Sequence, residues 1–246
     1  MRREQLKWLL FPGLNLHARL RHRRLPSYFG HPSNGEARWV LDAGCGNGML
    51  AYQSCLRGNR VLGISIKPGE VERNRRLFHR YLGVPEQRLE FVVHNLYEVH
   101  ALGRQFDEIV CTEVLEHIVD DRRVCESFYR LLRPGGTIHL CCPNADHPDH
   151  RRHCLDERES GGHVRPGYTE RTYRELLEPI GFDVGAPIGL GGPIRQACNR
   201  WITAAQETGG LALGLAAFAS LALLSALDSD TPTTPYSLYV RARRPV

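Results

Sequence analysis

Lysine is nearly missing from this chain. Lys7 and Lys67 are the only two, so 30 of the 32 basic side chains are arginine. Methionine is equally scarce, with two in 246 residues. None of the eight cysteines forms a Cys-x-x-Cys pair, which excludes a zinc ribbon or a thioredoxin-type redox site. Cysteines scattered in this way fit a reducing compartment, so a cytoplasmic protein is expected. A basic folded body is also missing. The net charge is +5, but residues 1–30 carry +6 and the rest sums to −1. That distribution argues against a nucleic-acid partner. The chain starts Met1-Arg2-Arg3, yet Pro12 and Gly13 interrupt its short apolar run and no small-residue cleavage site follows, so a secretory leader is not expected. With 42% hydrophobic and 24% charged residues the chain can bury a sizeable core. Disorder and a disulfide scaffold are excluded, and the length suits one large domain with or without an appended subdomain.

What is present is alternation. Arg38–Asp42, Arg60–Ile66, Leu89–His94, Glu108–Cys111 and Thr137–Cys142 read as short apolar strands. Between and after them, Asn47–Arg57, Gly69–Tyr81, Asp120–Leu132 and Thr169–Pro179 read as helices, the last opened by a Thr cap. Phe182–Ile188 and Ser237–Arg241 are the last strand candidates. Repeated β-α units predict an α/β fold, a mostly parallel, doubly wound sheet covered by helices on both faces. The expected organisation is a basic N-terminal arm or lid over 1–37, a core over 38–192, an apolar helical insert over 193–230, and a final strand of the core sheet within 231–246.

The insert contains the longest run without charge, Thr208–Leu227. Its twenty residues meet the length rule for a membrane span. Topology opposes that reading, because one crossing would leave Ser237–Arg241 on the wrong side of the membrane. A helix of that length is about 30 Å long, so the chain needs a second segment running back. The expectation is an antiparallel helical pair, Pro193–Gln206 against Thr208–Leu227, linked near Glu207–Gly210. Its apolar face would contact the N-terminal arm, a second subunit, a membrane surface or an apolar acceptor.

The chemistry is carried by Asp42-Ala43-Gly44-Cys45-Gly46-Asn47-Gly48, at the end of a buried strand. Alternate glycines let the backbone turn sharply and approach a ligand, and the helix that follows adds unpaired N–H groups. The Gly-x-Gly-x-Gly spacing is neither the dinucleotide fingerprint nor a P-loop. Two further motifs follow in order: Phe106-Asp107-Glu108-Ile109-Val110-Cys111-Thr112-Glu113-Val114-Leu115-Glu116-His117-Ile118 and Leu131-Leu132-Arg133-Pro134-Gly135-Gly136. Together the three resemble the class I S-adenosylmethionine (SAM)-dependent methyltransferases over residues 38–188. The resemblance implies a seven-stranded Rossmann-like sheet with its last strand antiparallel, and SAM lying over the strand C-termini, as in open α/β sheets generally.

Carried over residue by residue, the resemblance places Gly44, Cys45, Gly46 and Gly48 at the methionine part of SAM, with Asp42 orienting that end. Asn95 and Leu96 fall at the adenine, where the family usually has Asp. Thr112 and Glu113 fall beside the methionine end. The family's second strand usually ends in an acid that holds the ribose. This chain has Ser65 and Ile66 there, similar to cyclopropane fatty acid synthases, and Glu70 stands five residues on, so Ser65 and Glu70 are the implied ribose pair. Glu70 as a solvated residue of the first helical turn is the alternative.

Glu113, Glu116 and His117 fall at helical spacing and could share one face. Ubiquinone-type O-methyltransferases and small-RNA 3′-end methyltransferases have a similar Glu-x-x-Glu-His, and some bind a divalent metal with it; a metal is left open and not assigned. His147, His150, His153 and Cys154 suggest zinc by spacing alone, against a solvated loop as the plain alternative. His117, His163 and Tyr168 are candidates for a base or a substrate-positioning group at the rim. The expected activity is methyl transfer from SAM to a small-molecule acceptor, by preference O-methylation of an apolar, lipid-like or natural-product substrate. A C- or N-methyltransferase and a non-catalytic SAM-fold binding protein are the rivals; a homodimer and a peripheral membrane contact are possible assemblies.

Overall fold

The computed structural model describes residues 13–32, 36–152 and 155–246. In chain order the elements are α1 (Leu16–Arg24), β1 (Trp39–Ala43), α2 (Met49–Leu56), β2 (Arg60–Ser65), α3 (Pro68–Arg75) and β3 (Leu89–Val93). Then come β4 (Phe106–Thr112), α4 (Asp121–Leu131), β5 (Leu132–Pro143), α5 (Glu170–Leu177), β6 (Asp183–Val184), β7 (Ile188–Leu190), α6 (Pro193–Leu224) and β8 (Ser237–Arg243). By contacts the chain divides into two compact units, Tyr28–Pro187 with Leu238–Val246, and the residues up to Ser27 with Ile188–Ser237. The N-terminal arm expected over 1–37 is therefore divided at Ser27, and residues 1–12 and 33–35 of it lie outside the described residues.

The larger unit is the sheet domain. Its strands run in the order β3-β2-β1-β4-β5-β8-β6. The first five are parallel, and β8 runs antiparallel to β6, with Asp183 opposite Arg243. β1 and β2 are buried at nearly every position, which is why they read as continuous apolar runs instead of alternating ones. The helices cover this surface with apolar faces. α4 turns Val124, Cys125, Phe128 and Leu131 inward, and Asp120 caps it by accepting the Arg123 N–H at 3.1 Å. α5 starts at a capping box in which Thr169 and Thr172 exchange bonds.

Three local readings change. Pro134-Gly135-Gly136 is a bulge inside a longer β5, not a turn before it. Leu132 already pairs with Phe106, and the register shifts before Thr137 meets Glu108. Gly135 takes φ +78° there, and a Cβ on Gly136 would lie 2.8 Å from the Arg133 carbonyl. The helix expected over Gly69–Tyr81 keeps α geometry only to Arg75 and then widens into a π turn, Arg76–Tyr81. That widening carries Phe78 inward, where it stacks on Phe91 with ring centroids 5.4 Å apart. The strand expected over Phe182–Ile188 is two shorter ones, β6 and β7.

A buried polar chain crosses the middle of the sheet. Glu108 on β4, His139 on β5 and Tyr239 on β8 are all almost fully buried. A carboxylate only accepts, so His139 donates from Nε2 to Glu108 at 3.1 Å. The Tyr239 hydroxyl then donates to Nδ1 at 2.7 Å. Glu108 also accepts the Gly30 N–H at 2.8 Å, and Arg38 stands 3.8 Å away. Burial alone would raise the Glu108 pKa; the His139 hydrogen bond, the Gly30 N–H and the Arg38 charge outweigh it and hold the carboxyl below its ordinary value.

The smaller unit is built on α6. Gly209 and Gly210 leave helical geometry, Gly210 at φ 66°, so the element is two helices, and the chain turns back at the expected link. Their far ends meet. Arg195 donates to the Ser225 carbonyl at 2.8 Å, and the Asp228 carboxylate accepts the Gly192 and Ile194 N–H groups at 2.6 and 3.2 Å, capping the first helix. Gly214 packs so closely on Gln206 that no Cβ fits between the two helices. Leu14, Leu16, Cys198 and Ile202 form a small core with Phe218 and Leu221, and the Arg19 guanidinium lies over the Phe218 ring, 4.6 Å from its centroid.

Because the folded pKa of Glu108 lies below its unfolded value, its stabilisation is present at neutral pH and is lost as pH falls through the carboxylate range. Glu108→Gln should cost about 1–3 kcal/mol at pH 7 and less at pH 4 in urea unfolding. An equal loss at both pH values would show that the charge of Glu108 contributes nothing.

Candidate active site

At the C-terminal ends of β1, β2 and β4 lies a cavity of about 330 Å³. Its floor is the glycine loop. Gly44, Gly46 and Gly48 all take positive φ, +79°, +48° and +75°. The three glycines serve different ends. A Cβ on Gly44 would collide with Val114, so this glycine lets the loop after β4 close over β1. A Cβ on Gly48 would lie 2.6 Å from Phe78 and 3.0 Å from Phe91, so that glycine serves core packing and does not line the cavity. A Cβ on Gly46 would meet nothing nearer than the Gly44 carbonyl at 4.0 Å, and this position faces the cavity. The loop is held from α3, where Asn74 donates to the Gly46 carbonyl at 2.9 Å and reaches the Cys45 sulfur at 3.8 Å.

Ser65 and Glu70, paired in the sequence reading, are hydrogen-bonded in the fold. The Ser65 hydroxyl donates to Glu70 Oε2 at 2.8 Å and accepts the Lys67 N–H at 3.1 Å. Both line the cavity, with Ile66 beside them. Glu70 is thus turned inward and is not a solvated first-turn residue. Asn95 and Leu96 also line the cavity. The Asn95 side-chain oxygen accepts the Tyr97 N–H at 3.0 Å and caps a 3-10 turn over Leu96–Leu102. Glu113 lines the cavity at φ 55°, a left-handed conformation rare outside glycine. That backbone kink removes it from the helical face expected for Glu113, Glu116 and His117; only Leu115–His117 forms a helical turn.

Several candidates stand behind the walls. Asp42 is buried and accepts the Ala51 N–H at 3.0 Å, bracing the first turns of α2. Burial pushes its carboxyl up to about 7, against the opposing Ala51 bond. Cys45 is also buried, and burial raises its thiol pKa, which makes it a poor nucleophile. Thr112 ends β4 and does not line the cavity. Tyr168, expected at the rim, belongs to the core: it is 3% exposed, stacks on Tyr173 and donates its hydroxyl to Asp121. Burial raises its pKa first of all, and Asp121 adds to the shift, so Tyr168 does not supply a base.

His117 does line the cavity. Its Nδ1 lies 2.8 Å from the Gly162 carbonyl, which can only accept, so the ring donates from Nδ1 and the neutral imidazole presents its lone pair at Nε2. His163 packs edge-on against it, 4.7 Å between centroids, and does not reach the cavity wall. Among the described residues, ligand atoms of Glu116, His117 and His163 come within 4.8 Å of one another, a different set from the one the spacing suggested. His147 and His150 serve their own loop: His147 Nδ1 accepts the Asp149 N–H at 3.2 Å, and His150 Nδ1 bonds the Asn144 carbonyl at 2.9 Å. His153 and Cys154 lie outside the described residues.

Two contributors escaped the sequence reading. Asn74 could have been noticed as the one uncharged polar residue in an arginine- and glutamate-rich helix. Glu159 gave no signal. It lies on the segment after β5, lines the cavity and accepts from the Tyr97 hydroxyl at 2.5 Å and the Val119 N–H at 2.6 Å. The same segment is tied down where the Val164 N–H donates to the Glu116 carbonyl at 2.8 Å.

A family profile described as a methyltransferase domain matches residues 14–186. A ubiquinone biosynthesis O-methyltransferase of Pseudomonas putida is 37% identical over 100 residues, which span 40% of this chain and 41% of that protein. The chain thus matches about two fifths of the length of that relative. Among solved structures, a SAM-dependent methyltransferase of Mesorhizobium loti superposes with a TM-score of 0.60 at 19% identity, covering 93% of this chain and all of the other. Magnesium protoporphyrin IX methyltransferase of Synechocystis, solved with bound S-adenosylhomocysteine, also gives 0.60, at 16% identity over 93% of this chain and 84% of its own. At such identities these two likenesses speak for the fold alone. With the profile covering most of the chain and the glycine-floored cavity in the expected place, the chain belongs to the methyltransferase-domain family, on the fold of the class I methyltransferases.

Proposed function

We propose that this enzyme methylates a hydroxyl of an apolar small molecule, with His117 as the base that takes the hydroxyl proton. The observation that carries the reading is the fixed imidazole: the Gly162 carbonyl holds the Nδ1 proton, and His117 lines the cavity beside Glu113. The partial match to a ubiquinone biosynthesis O-methyltransferase supports the same acceptor chemistry.

The residues present fit SAM. Gly46 offers a wall without a side chain, and Asn74 keeps its backbone in place. Glu70 and Ser65 form a polar pair suited to ribose hydroxyls, with Glu70 accepting and Ser65 held in position. Asn95 retains its amide N–H groups as donors once its oxygen is engaged by Tyr97. When bound, SAM supplies an electrophilic methyl group on a sulfonium. The chain contributes alignment of the two reactants, exclusion of water and removal of one proton.

Gly46→Val should abolish S-adenosylhomocysteine binding in calorimetry while the protein stays folded by circular dichroism. Wild-type affinity in the folded variant would place the ligand elsewhere. Glu70→Ala should weaken the same binding by about 1–2 kcal/mol, the loss of one charged hydrogen bond. An unchanged dissociation constant would leave Glu70 without a role at the ribose.

The acceptor is tested by incubating methyl-labelled SAM with a panel of apolar phenols, amines and activated carbons, followed by mass spectrometry. Label on a phenolic oxygen, with His117→Ala lowering kcat about a hundredfold at unchanged S-adenosylhomocysteine affinity, is the expected result. Label on nitrogen or carbon alone would replace the reading.

A further inference from the structure

The second half of α6 presents an apolar surface that the fold leaves in water. Pro193–Leu227 is the one helix among the described residues long and apolar enough to cross a membrane, yet only 11% of its most apolar window is buried. The side toward the first half of the hairpin carries Gly214, Leu215, Phe218 and Leu221. The other side carries Ala212, Ala216, Ala219, Leu223 and Leu227, recurring at three- and four-residue steps as one exposed stripe. Leu211, Leu223 and Leu227 are 66%, 77% and 72% exposed, and Trp201 on the first half is 70% exposed. Soluble proteins rarely expose contiguous apolar surface on this scale unless something covers it.

We propose that this hairpin docks on the surface of an anionic lipid bilayer, with the second helix lying in the plane of the interface. Geometry excludes a span. The second helix runs from the Gly210 break to Leu224 and is about 21 Å long, short of the ~30 Å hydrocarbon core. Both ends of the hairpin are pinned together by Arg195 on Ser225 and by Asp228 on Gly192, so the chain enters and leaves on one side. A helix with one apolar stripe, no charge between Thr208 and Leu227 and both ends held on the aqueous side settles at the interface.

Charge selects the partner. Over its described residues, this unit has six Arg against three Asp and Glu, a net +3. The sheet domain sums to zero, so among the described residues the excess positive charge belongs to the unit that holds the apolar helix. Acidic headgroups complement both features at once. A second copy of the chain would bring two units of like charge together, which opposes dimerisation through this face. The proposal stands apart from the identity of the methyl acceptor.

The test is flotation of the full chain with vesicles of phosphatidylcholine alone and with about a third phosphatidylglycerol. The protein should float with the anionic vesicles, less with the neutral ones, and less at high salt. Brominated acyl chains should quench Trp201 emission, an effect lost in Trp201→Phe. The double variant Leu223→Ser/Leu227→Ser should lower partitioning at least about tenfold. It should bind S-adenosylhomocysteine as the wild type does, which separates loss of docking from loss of fold. Failure of the wild type to float, equal flotation of the double variant, or absence of quenching would each overturn the proposal. A dimer in solution that the double variant converts to monomer, without vesicle binding, would assign the face to a second copy.

Discussion

The site depends on one backbone constraint: after β1 the chain must run left-handed at three alternate residues, Gly44, Gly46 and Gly48. Side chains at these positions would be strained by φ alone. Space adds a second demand that differs at each. Val114 presses on Gly44, Phe78 and Phe91 press on Gly48, and Gly46 looks into the cavity. The same five-residue stretch thus fixes the approach of β4's loop, seats the π turn of α3, and leaves a bare wall for a ligand. Asp42 and Asn74 hold it from either side, one through the Ala51 N–H and the other through the Gly46 carbonyl.

The opposite wall is built differently. It comes from long-range closure of the segment after β5, which returns to the helical turn after β4 through the Val164 N–H, the Gly162 carbonyl and Glu159. His117 owes its ring orientation to that closure. The cavity therefore has one wall set by local backbone geometry and one set by contacts about forty residues apart in sequence. Loops positioned by a rigid sheet are where binding and catalysis usually reside, and the second wall is the part of the site most free to suit an acceptor.

The hairpin of α6 answers a different constraint, that of chain return. Its two glycines break the helix, and Arg195 and Asp228 clamp its ends. Burial of Leu16, Ile202 and Phe218 orders this unit, but the outer stripe contributes nothing to that core. An apolar face left out of the folding balance has its free energy available for association.

Much of the fold was legible because it is local. Alternating strands and helices, the Thr169 cap, the glycine loop and the turn at Glu207–Gly210 follow from spacing and from residue types with one conformational use, whereas the Ser65–Glu70 pair was implied by the family resemblance. What tertiary structure decided was burial and partner. Spacing placed Tyr168 near the rim, but the chain path buries it against Tyr173 and Asp121. Helical periodicity grouped Glu113 with Glu116 and His117, but the left-handed kink at Glu113 and the return of residues near 163 bring His163 there instead. The bulge at Gly135 and the buried Glu108–His139–Tyr239 chain likewise arise from pairing between β4, β5 and β8. A sequence records which conformations each residue accepts, whereas contacts between distant residues are decided only when the sheet closes, because their energy exists only in the packed state.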